Sequence, residues 1–139
     1  MRKKIIFLFF VIINVFFYNG CFATKQPIYN IQNAPIHNGD NLSYAQIEQA
    51  IIKAATELGW KINKVKNGLL VGIFTSPSYM AVIDIKYDFS IYNITYRDGA
   101  NLQYDGSNID KLYNNWIKSL NDTIQKKLSG NLDNSTSAL

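Results

Sequence analysis

The fold of this chain is decided by residues 60–96, WKINKVKNGLLVGIFTSPSYMAVIDIKYDFSIYNITY, in which short apolar runs alternate with turn residues. Strands are predicted at Trp60–Val65, Leu69–Thr75, Met80–Lys86 and Ser90–Tyr96. Asn67-Gly68 is a hairpin signal between the first two of them. Because the connections are too short for the crossover that parallel strands need, we expect an antiparallel meander.

A helix is predicted before the meander. Ser43 and Gln46 have the spacing of a capping box, in which each side chain satisfies a backbone donor of the first turn. The apolar positions that follow at a helical period are Ile47, Ile51, Ala54 and Leu58. Gly59 is expected to end this helix in a left-handed conformation.

A second helix is predicted after the meander, with Ser107 and Asp110 as candidate N-cap residues and Gly130 as its end. Its apolar stripe comprises Ile109, Leu112, Tyr113, Trp116, Leu120, Ile124 and Leu128. The predicted fold class is therefore α+β. We expect a two-layer sandwich, in which a four-stranded antiparallel meander is flanked by an N-terminal and a C-terminal helix on the same side (α-β-β-β-β-α).

The amino-terminal residues 1–20 are predicted to be a signal peptide. A basic start, Arg2-Lys3-Lys4, precedes the apolar run Ile5–Phe17. At about 1.5 Å per residue, a helix of this run is shorter than a hydrocarbon core of about 30 Å, so a cleaved export signal is favoured over an uncleaved anchor. Cys21, the single cysteine of the chain, follows directly.

The segment Tyr18-Asn19-Gly20-Cys21 resembles a bacterial lipobox. The resemblance implies cleavage between Gly20 and Cys21, a thioether-linked diacylglycerol on Cys21, and acylation of its new amino group. Tyr18 and Asn19 depart from the aliphatic and small residues of that pattern, so cleavage after Ala23 stays open as an alternative. Phe22 implies, by the same resemblance, an outer-membrane lipoprotein that faces the periplasm; the alternative is a soluble periplasmic or secreted protein.

Composition argues against a nucleic-acid binder. The whole chain has a net charge of +4 and a pI of about 9.1. Removal of residues 1–21 takes away three basic side chains and leaves eleven basic against ten acidic ones, a net charge of +1. Lys61, Lys64 and Lys66 form the main basic cluster, and a solvated strand face explains it better than a phosphate-binding stripe does.

The mature chain is expected to form one domain without a disulfide. Residues 21–41 are interpreted as a tether, in which Ile28, Tyr29 and Ile31 are able to dock on the domain as an extended edge segment. Residues 42–129 form the predicted α+β domain, and residues 130–139 a disordered tail.

No reactive centre is recognisable in the sequence. His37, the only histidine, lies in the predicted tether without evident partners, and the serines carry no Gly-x-Ser-x-Gly elbow. Neither a phosphate-binding loop nor a cysteine cluster is present. We therefore predict no enzyme activity, no catalytic residue, no metal site and no cofactor. A small envelope hydrolase remains an alternative only if folding gathers Asp98, Asp105 and a serine in one cleft.

The candidate binding surface comprises Tyr96, Arg97, Tyr104 and Asp105, around the connection between the last strand and the second helix. Aromatic rings beside amides and a carboxylate suit the recognition of sugars or peptides. The competing interpretation assigns the nearby Tyr113 and Trp116 to the core, because their helical spacing is typical of buried stripes.

The region from Pro27 to Leu128 resembles a family of small uncharacterised proteobacterial lipoproteins or secreted proteins. Its landmarks here are Pro27-Ile28-Tyr29-Asn30, Leu58-Gly59-Trp60, Asn101-Leu102-Gln103-Tyr104-Asp105-Gly106 and Tyr113-Asn114-Asn115-Trp116-Ile117. The resemblance implies cell-envelope residence and carries over no catalytic residue.

The expected function is that of an exported, lipid-anchored envelope protein, a non-enzymatic binding or structural module. Its expected partners are the membrane, through the N-terminal lipid, and another envelope protein or peptidoglycan. The alternative is a soluble periplasmic glycan- or peptide-binding module released by cleavage after Ala23.

Overall fold

A computed structural model describes residues 24–37 and 39–136, with side chains described up to residue 130. The elements in chain order are β1 (Lys25–Pro27), β2 (Ile31–Pro35), a 3-10 turn (Gly39–Asn41), α1 (Tyr44–Glu57), β3 (Lys61–Lys66), β4 (Leu69–Thr75), β5 (Met80–Tyr87), β6 (Ile91–Ala100), β7 (Asn108–Asp110) and α2 (Lys111–Thr136). The α+β class, with two helices and an antiparallel sheet, is confirmed.

Helix α1 begins at the predicted capping box. Ser43 Oγ accepts a hydrogen bond from Gln46 N at 3.2 Å, and Gln46 Oε1 accepts one from Ser43 N at 2.7 Å. The stripe of Ile47, Ile51 and Ala54 is fully buried. Gly59, with φ of +86°, ends the helix in the left-handed region, where a residue with a Cβ is disfavoured.

The predicted meander is present as β3–β6, and its strands are adjacent in the order β6-β5-β4-β3. Gly68, with φ of +80°, closes the β3–β4 hairpin, as the Asn-Gly signal predicts. Alternation along β5 buries Ala81, Ile83 and Ile85 on one face of the sheet. β3 is an edge strand, and its exposed lysines discourage pairing with another chain.

The prediction of four strands is wrong, because β2 pairs antiparallel with β6 and makes a five-stranded sheet of order β2-β6-β5-β4-β3. β2 lies inside residues 21–41, the expected tether. Ile31 in β2 is only 6% exposed, and Ile36 just after it is 5% exposed. These two side chains give the segment an apolar anchor, so it docks as an edge strand instead of remaining free in solution.

A small second sheet joins the start of the described chain to the segment before α2. β1 pairs antiparallel with β7, which directly precedes α2. Asn114 on α2 reinforces this contact: its Oδ1 accepts from Tyr29 N at 2.9 Å, and its Nδ2 donates to the Pro27 carbonyl at 2.9 Å. Backbone groups at the connection between β1 and β2 thus form hydrogen bonds with residues that are distant in sequence. Local secondary-structure propensity does not predict such bonds.

Both helices pack on the sheet face that carries Ile83 and Ile85, as predicted. Tyr87 on this face donates to Glu48 of α1, and Tyr92 donates to Asn121 Oδ1 of α2 at 2.7 Å. The opposite face carries no described helix, and we call it the open face. It holds the β5 side chains that alternate with the buried ones, among them Val82, Asp84 and Lys86.

Helix α2 begins after Asp110, whose Oδ1 accepts from Leu112 N at 2.9 Å as expected of an N-cap. It then runs through Gly130 to Thr136, past the expected end at Gly130, and residues 137–139 of the expected tail lie outside the described residues. Of the described glycines, Gly59, Gly68 and Gly106 have positive φ, whereas Gly130 lies inside the helix. A glycine ends a helix only where it takes the left-handed conformation, and otherwise it merely weakens the helix.

Candidate functional site

The structure brings together two of the four residues of the predicted binding surface. The rings of Tyr96 and Tyr104 lie with centroids 4.5 Å apart. Tyr96 also packs edge-to-face on Tyr113, at 5.3 Å, and its burial raises its pKa. Tyr104 is 44% exposed, and its hydroxyl donates to the Gly106 carbonyl at 3.2 Å. Tyr96 and Tyr104 therefore form a small aromatic ledge at the end of β6.

Arg97 and Asp105 do not join this ledge. Arg97 lies at a bulge in β6 and forms a salt bridge of 3.2 Å with Asp84, on the open face. Asp105 Oδ2 pairs with Lys25 at 2.6 Å, while its Oδ1 accepts the backbone N–H groups of Ser107 and Asn108. Lys25 first, and then these N–H groups, hold the pKa of Asp105 well below its usual range. Asp105 thus serves the turn that leads into β7.

The residues weighed for reactive chemistry lie apart. Asp98 is exposed on β6, where its Oδ1 accepts from Gly99 N at 2.8 Å, and His37 is an exposed residue of the loop after β2. Across residues 24–37 and 39–136, no three His, Cys, Asp or Glu side chains cluster in a way that would hold a metal ion. Over the same ranges, no helix is both long and apolar enough to cross a membrane. Cys21 and both candidate cleavage sites lie outside the described residues.

An aromatic pocket that the sequence did not predict lies at the end of the molecule where α1 stops. We call it the aromatic pocket, and it is lined by Leu58, Trp60, Phe74, Trp116 and Ser119. Its volume is about 180 Å³. Separate elements contribute them. Leu58 caps α1, Trp60 precedes β3, Phe74 is near the end of β4, and the last two lie on the first turns of α2.

The rings of this pocket support one another. The centroid distances are 5.4 Å between Trp60 and Phe74 and 4.6 Å between Phe74 and Trp116. Tyr79 packs edge-on against the outer side of Trp116, at 6.2 Å. Trp60 is 3% exposed and forms the floor, whereas Phe74 and Trp116 are partly exposed walls. The pocket therefore offers rigid ring surface to a ligand, with Ser119 as a hydroxyl at its rim.

Local structure at Gly59 positions the floor of the pocket. Its left-handed conformation turns the chain back at once, so that Trp60 N donates to the Ala55 carbonyl at 3.0 Å. The only sequence signals for this pocket were the landmark Leu58-Gly59-Trp60 and the apolar position of Trp116. Each is equally typical of a core residue, and the convergence of the rings depends on how α2 packs over the β4 end of the sheet.

A polar network next to Tyr87 holds α1 on the sheet. Glu48 accepts from the Tyr87 hydroxyl and forms a salt bridge of 2.9 Å with Lys64, and its side chain is only 13% exposed. The bond from Tyr87, followed by Lys64, lowers the pKa of Glu48, although desolvation opposes the change. Burial, and then the bond to Glu48, raises the pKa of Tyr87. Each group thus stabilises the protonation state of the other, and the network is fully satisfied.

Comparison of the chain with protein-family models, with curated proteins and with solved structures finds no match.

Proposed function

We propose that the chain is an exported, lipid-anchored envelope protein that binds a partner by holding an apolar group in the aromatic pocket. The basic start and the apolar run support the export, and Cys21 behind them supports the anchor. With two or three acyl chains on one residue, membrane attachment would be effectively permanent, because each buried methylene contributes about 0.8 kcal/mol. The resemblance to envelope lipoproteins agrees with an outer-membrane protein that faces the periplasm.

The observation that carries the binding role is the convergence of partly exposed rings from separate elements. Rings left partly open to water keep apolar surface available for burial, at about 25 cal/mol per Å². The volume of about 180 Å³ is below the range of roughly 300–1,000 Å³ that encloses a drug-sized ligand. It is suited to a single ring or one apolar side chain, as in the anchor positions of protein interfaces.

Lining chemistry favours an apolar side chain over a sugar. A sugar site needs polar groups that fix its hydroxyls as well as a ring for its apolar face. Among the described lining residues, Ser119 offers the one side-chain hydroxyl, and the rest are leucine, tryptophan and phenylalanine. The favoured ligand is therefore an aromatic or aliphatic side chain of another envelope protein.

The pocket is tested by filling it from its rim. Ser119 is an exposed residue of α2, so Ser119→Phe should place a ring in the pocket without disturbing the core. Ser129→Phe is the matched control, since Ser129 is exposed on the same helix outside the pocket. N-acetylphenylalanine amide and N-acetylglucosamine serve as probes, and the side-chain indole resonances of Trp60 and Trp116 are followed by NMR.

The phenylalanine amide should shift both indole resonances with a Kd of about 1 mM, near −4 kcal/mol. The shifts should be lost in Ser119→Phe and kept in Ser129→Phe. Shifts with the sugar alone would favour the glycan alternative, and no shift with either probe would refute a binding role for the pocket.

Anchoring is tested separately, by the intact mass of the membrane-extracted protein. A mass increment of acyl chains that Cys21→Ser abolishes is expected. A mature terminus that follows Ala23, without any increment, would instead support the soluble periplasmic module.

The soluble module has one observation in its favour, the ledge formed by Tyr96 and Tyr104. Tyr104→Ala removes the exposed ring of this ledge while the pocket is left intact. Loss of peptide or glycan binding in this variant, but not in Ser119→Phe, would assign recognition to the ledge.

A further inference from the structure

A row of side chains crosses four strands on the open face of the sheet. Lys66 on β3 pairs with Leu69 on β4, Leu69 pairs with Lys86 on β5, and Lys86 pairs with Asn93 on β6. Neighbouring strands lie about 4.8 Å apart, so the α-carbons of the two lysines are separated by roughly 10 Å. Both flexible side chains are therefore able to reach a group held above Leu69.

The row borders an open cavity of about 370 Å³, which we call the lysine pocket. Its lining residues are Lys66, Gly68, Leu69, Lys86, Tyr87, Asp88, Ile91 and Asn93. Gly68 belongs to the β3–β4 hairpin and Ile91 begins β6, so two hairpins meet at this cavity. The volume lies within the range of roughly 300–1,000 Å³ that is typical of small-molecule sites.

The two lysines of the row donate to no protein acceptor among the residues whose side chains the structure describes. Within the part of the chain whose side chains are described, Lys66 and Lys86 form no salt bridge, as is also true of Lys53 and Lys61. Lys66 and Lys86 differ from those two in lining the same cavity. Two ammonium groups over a shared cavity repel each other unless an anion is placed between them. Their arrangement is therefore suited to a negatively charged ligand.

Asn93 supplies a third donor whose orientation is set by the fold. Its Oδ1 accepts from Asn33 N at 2.8 Å, so its amide nitrogen is directed away from that bond. Asn33 lies at the bulge of β2 and has φ of +53°. The edge strand β2 thus adopts a sparsely populated backbone conformation at Asn33. Its hydrogen bond holds the Asn93 side chain so that the amide nitrogen is free to donate to a ligand.

Asp88 is the acidic residue of the lining, and its carboxylate is used by the turn. Asp88 Oδ1 accepts from Ser90 N at 2.7 Å and from Ile91 N at 2.8 Å. Its negative charge is outnumbered by the two lysines, so the lining remains cationic. Leu69 and Ile91 add apolar surface beside the donors.

We propose that the lysine pocket binds a phosphate group, held by Lys66, Lys86 and the amide nitrogen of Asn93. A phosphate presents several oxygens to separate donors, and lysine binds it as a point charge. An anionic lipid headgroup and a soluble phosphate both present this chemistry, and the test below distinguishes them. The site is distinct from the aromatic pocket, so failure of either proposal leaves the other standing.

The test uses the full chain with Cys21→Ser, so that no acyl chain contributes to vesicle binding. Residues 1–20 are identical in every variant, so only a difference between variants reports on the lysine pocket. Lys66→Gln/Lys86→Gln is the site variant. Lys53→Gln/Lys61→Gln is its matched control, because it makes the same change of charge outside the lining. The probes are inorganic phosphate, followed by the backbone resonances of Leu69 and Asn93, and vesicles of phosphatidylglycerol or of phosphatidylcholine.

Phosphate should shift the resonances of the row, and the site variant should bind it about tenfold more weakly while the control binds as before. Binding to phosphatidylglycerol vesicles that the site variant weakens and the control variant keeps would identify a lipid headgroup as the source. Binding of phosphate, with vesicle binding that neither variant weakens, would identify a soluble ligand. Equal losses in the two variants would indicate a general effect of charge and would overturn the proposal, as would the absence of binding to both anionic probes. Lys86→Arg, which keeps the charge, should retain binding and so separates loss of the site from loss of folding.

Discussion

We predict that loss of the hydroxyl group changes the stability of the fold in opposite directions at two buried tyrosines. Tyr92 and Tyr113 are both fully buried. The Tyr92 hydroxyl donates to Asn121 Oδ1 at 2.7 Å and accepts from Gln125 Nε2 at 3.0 Å. Within the described residues, the Tyr113 hydroxyl is the one buried side-chain polar atom without a hydrogen-bond partner. The same change, tyrosine to phenylalanine, therefore removes satisfied hydrogen bonds at one position and an unsatisfied group at the other.

The magnitudes follow from the cost of burying polar groups. A typical hydrogen bond contributes about 1 kcal/mol net, and an unpaired buried group costs about 1–3 kcal/mol. Tyr92→Phe loses both bonds and leaves Asn121 Oδ1 in need of a new donor, whereas Gln125 keeps its bond to the Pro35 carbonyl. We therefore expect the variant to destabilise the fold by about 1–2 kcal/mol. Tyr113→Phe removes the unpaired hydroxyl and should stabilise the fold by about 1 kcal/mol.

Urea-induced unfolding measures the difference directly. The m-value should be the same for wild type and both variants, because each keeps the ring and therefore the surface buried on folding. The two midpoints should move in opposite directions, and the melting temperatures should move by about 4–8 °C per kcal/mol. Tyr104→Phe, at a position that is 44% exposed, is the control and should change stability by less than about 0.5 kcal/mol.

One result would refute this reasoning. If Tyr113→Phe lowered the free energy of unfolding by about 1 kcal/mol or more, the hydroxyl would have a partner in solution, most simply an enclosed water. The assignment of Tyr113 to a purely apolar environment would then be wrong.

Three further predictions concern α2 and the Glu48 network. Gly130→Ala should stabilise the fold by about 0.5–1 kcal/mol, because Gly130 lies in α2 and nothing lies within 4 Å of an added Cβ. A loss of helical circular dichroism in this variant would contradict the observed helix. The pKa of Glu48 is lowered from 4.5, so its contribution to stability is present above pH 4.5 and is lost as the pH falls through the lowered value. Glu48→Gln should therefore be less stable than wild type at pH 7, and the difference should shrink in acid. Urea unfolding at each pH measures this difference. The pKa of Tyr87 is raised from 10.0, so its contribution to stability should decline as the pH rises above 10. Tyr87→Phe should make the alkaline decline smaller, while Tyr92, Tyr96 and Tyr113, whose pKa values burial also raises, maintain the rest of it.

The helices and the meander could be predicted because their signals are local. The capping box, the Asn-Gly turn and the apolar periods each lie within one element or one hairpin. The composition of the candidate site depends on contacts between elements. Successive side chains of a strand point to opposite faces, so Arg97 lies beside Asp84 on the open face, whereas Tyr96 lies beside Tyr104. The contact of Tyr96 with Tyr104 forms only when the connection after β6 folds back on the strand.

By itself, the sequence determined the α+β class, the start of α1 at Ser43, the order of β3–β6 and the burial of Tyr113. Tertiary structure alone decided that residues 31–35 form a fifth strand, that β1 pairs with β7, and that α2 continues through Gly130. Packing also decided where the aromatic pocket and the lysine pocket form. The physical reason is distance along the chain: Tyr29 N bonds Asn114 across 85 residues, and such a contact is made only after the elements on either side have packed.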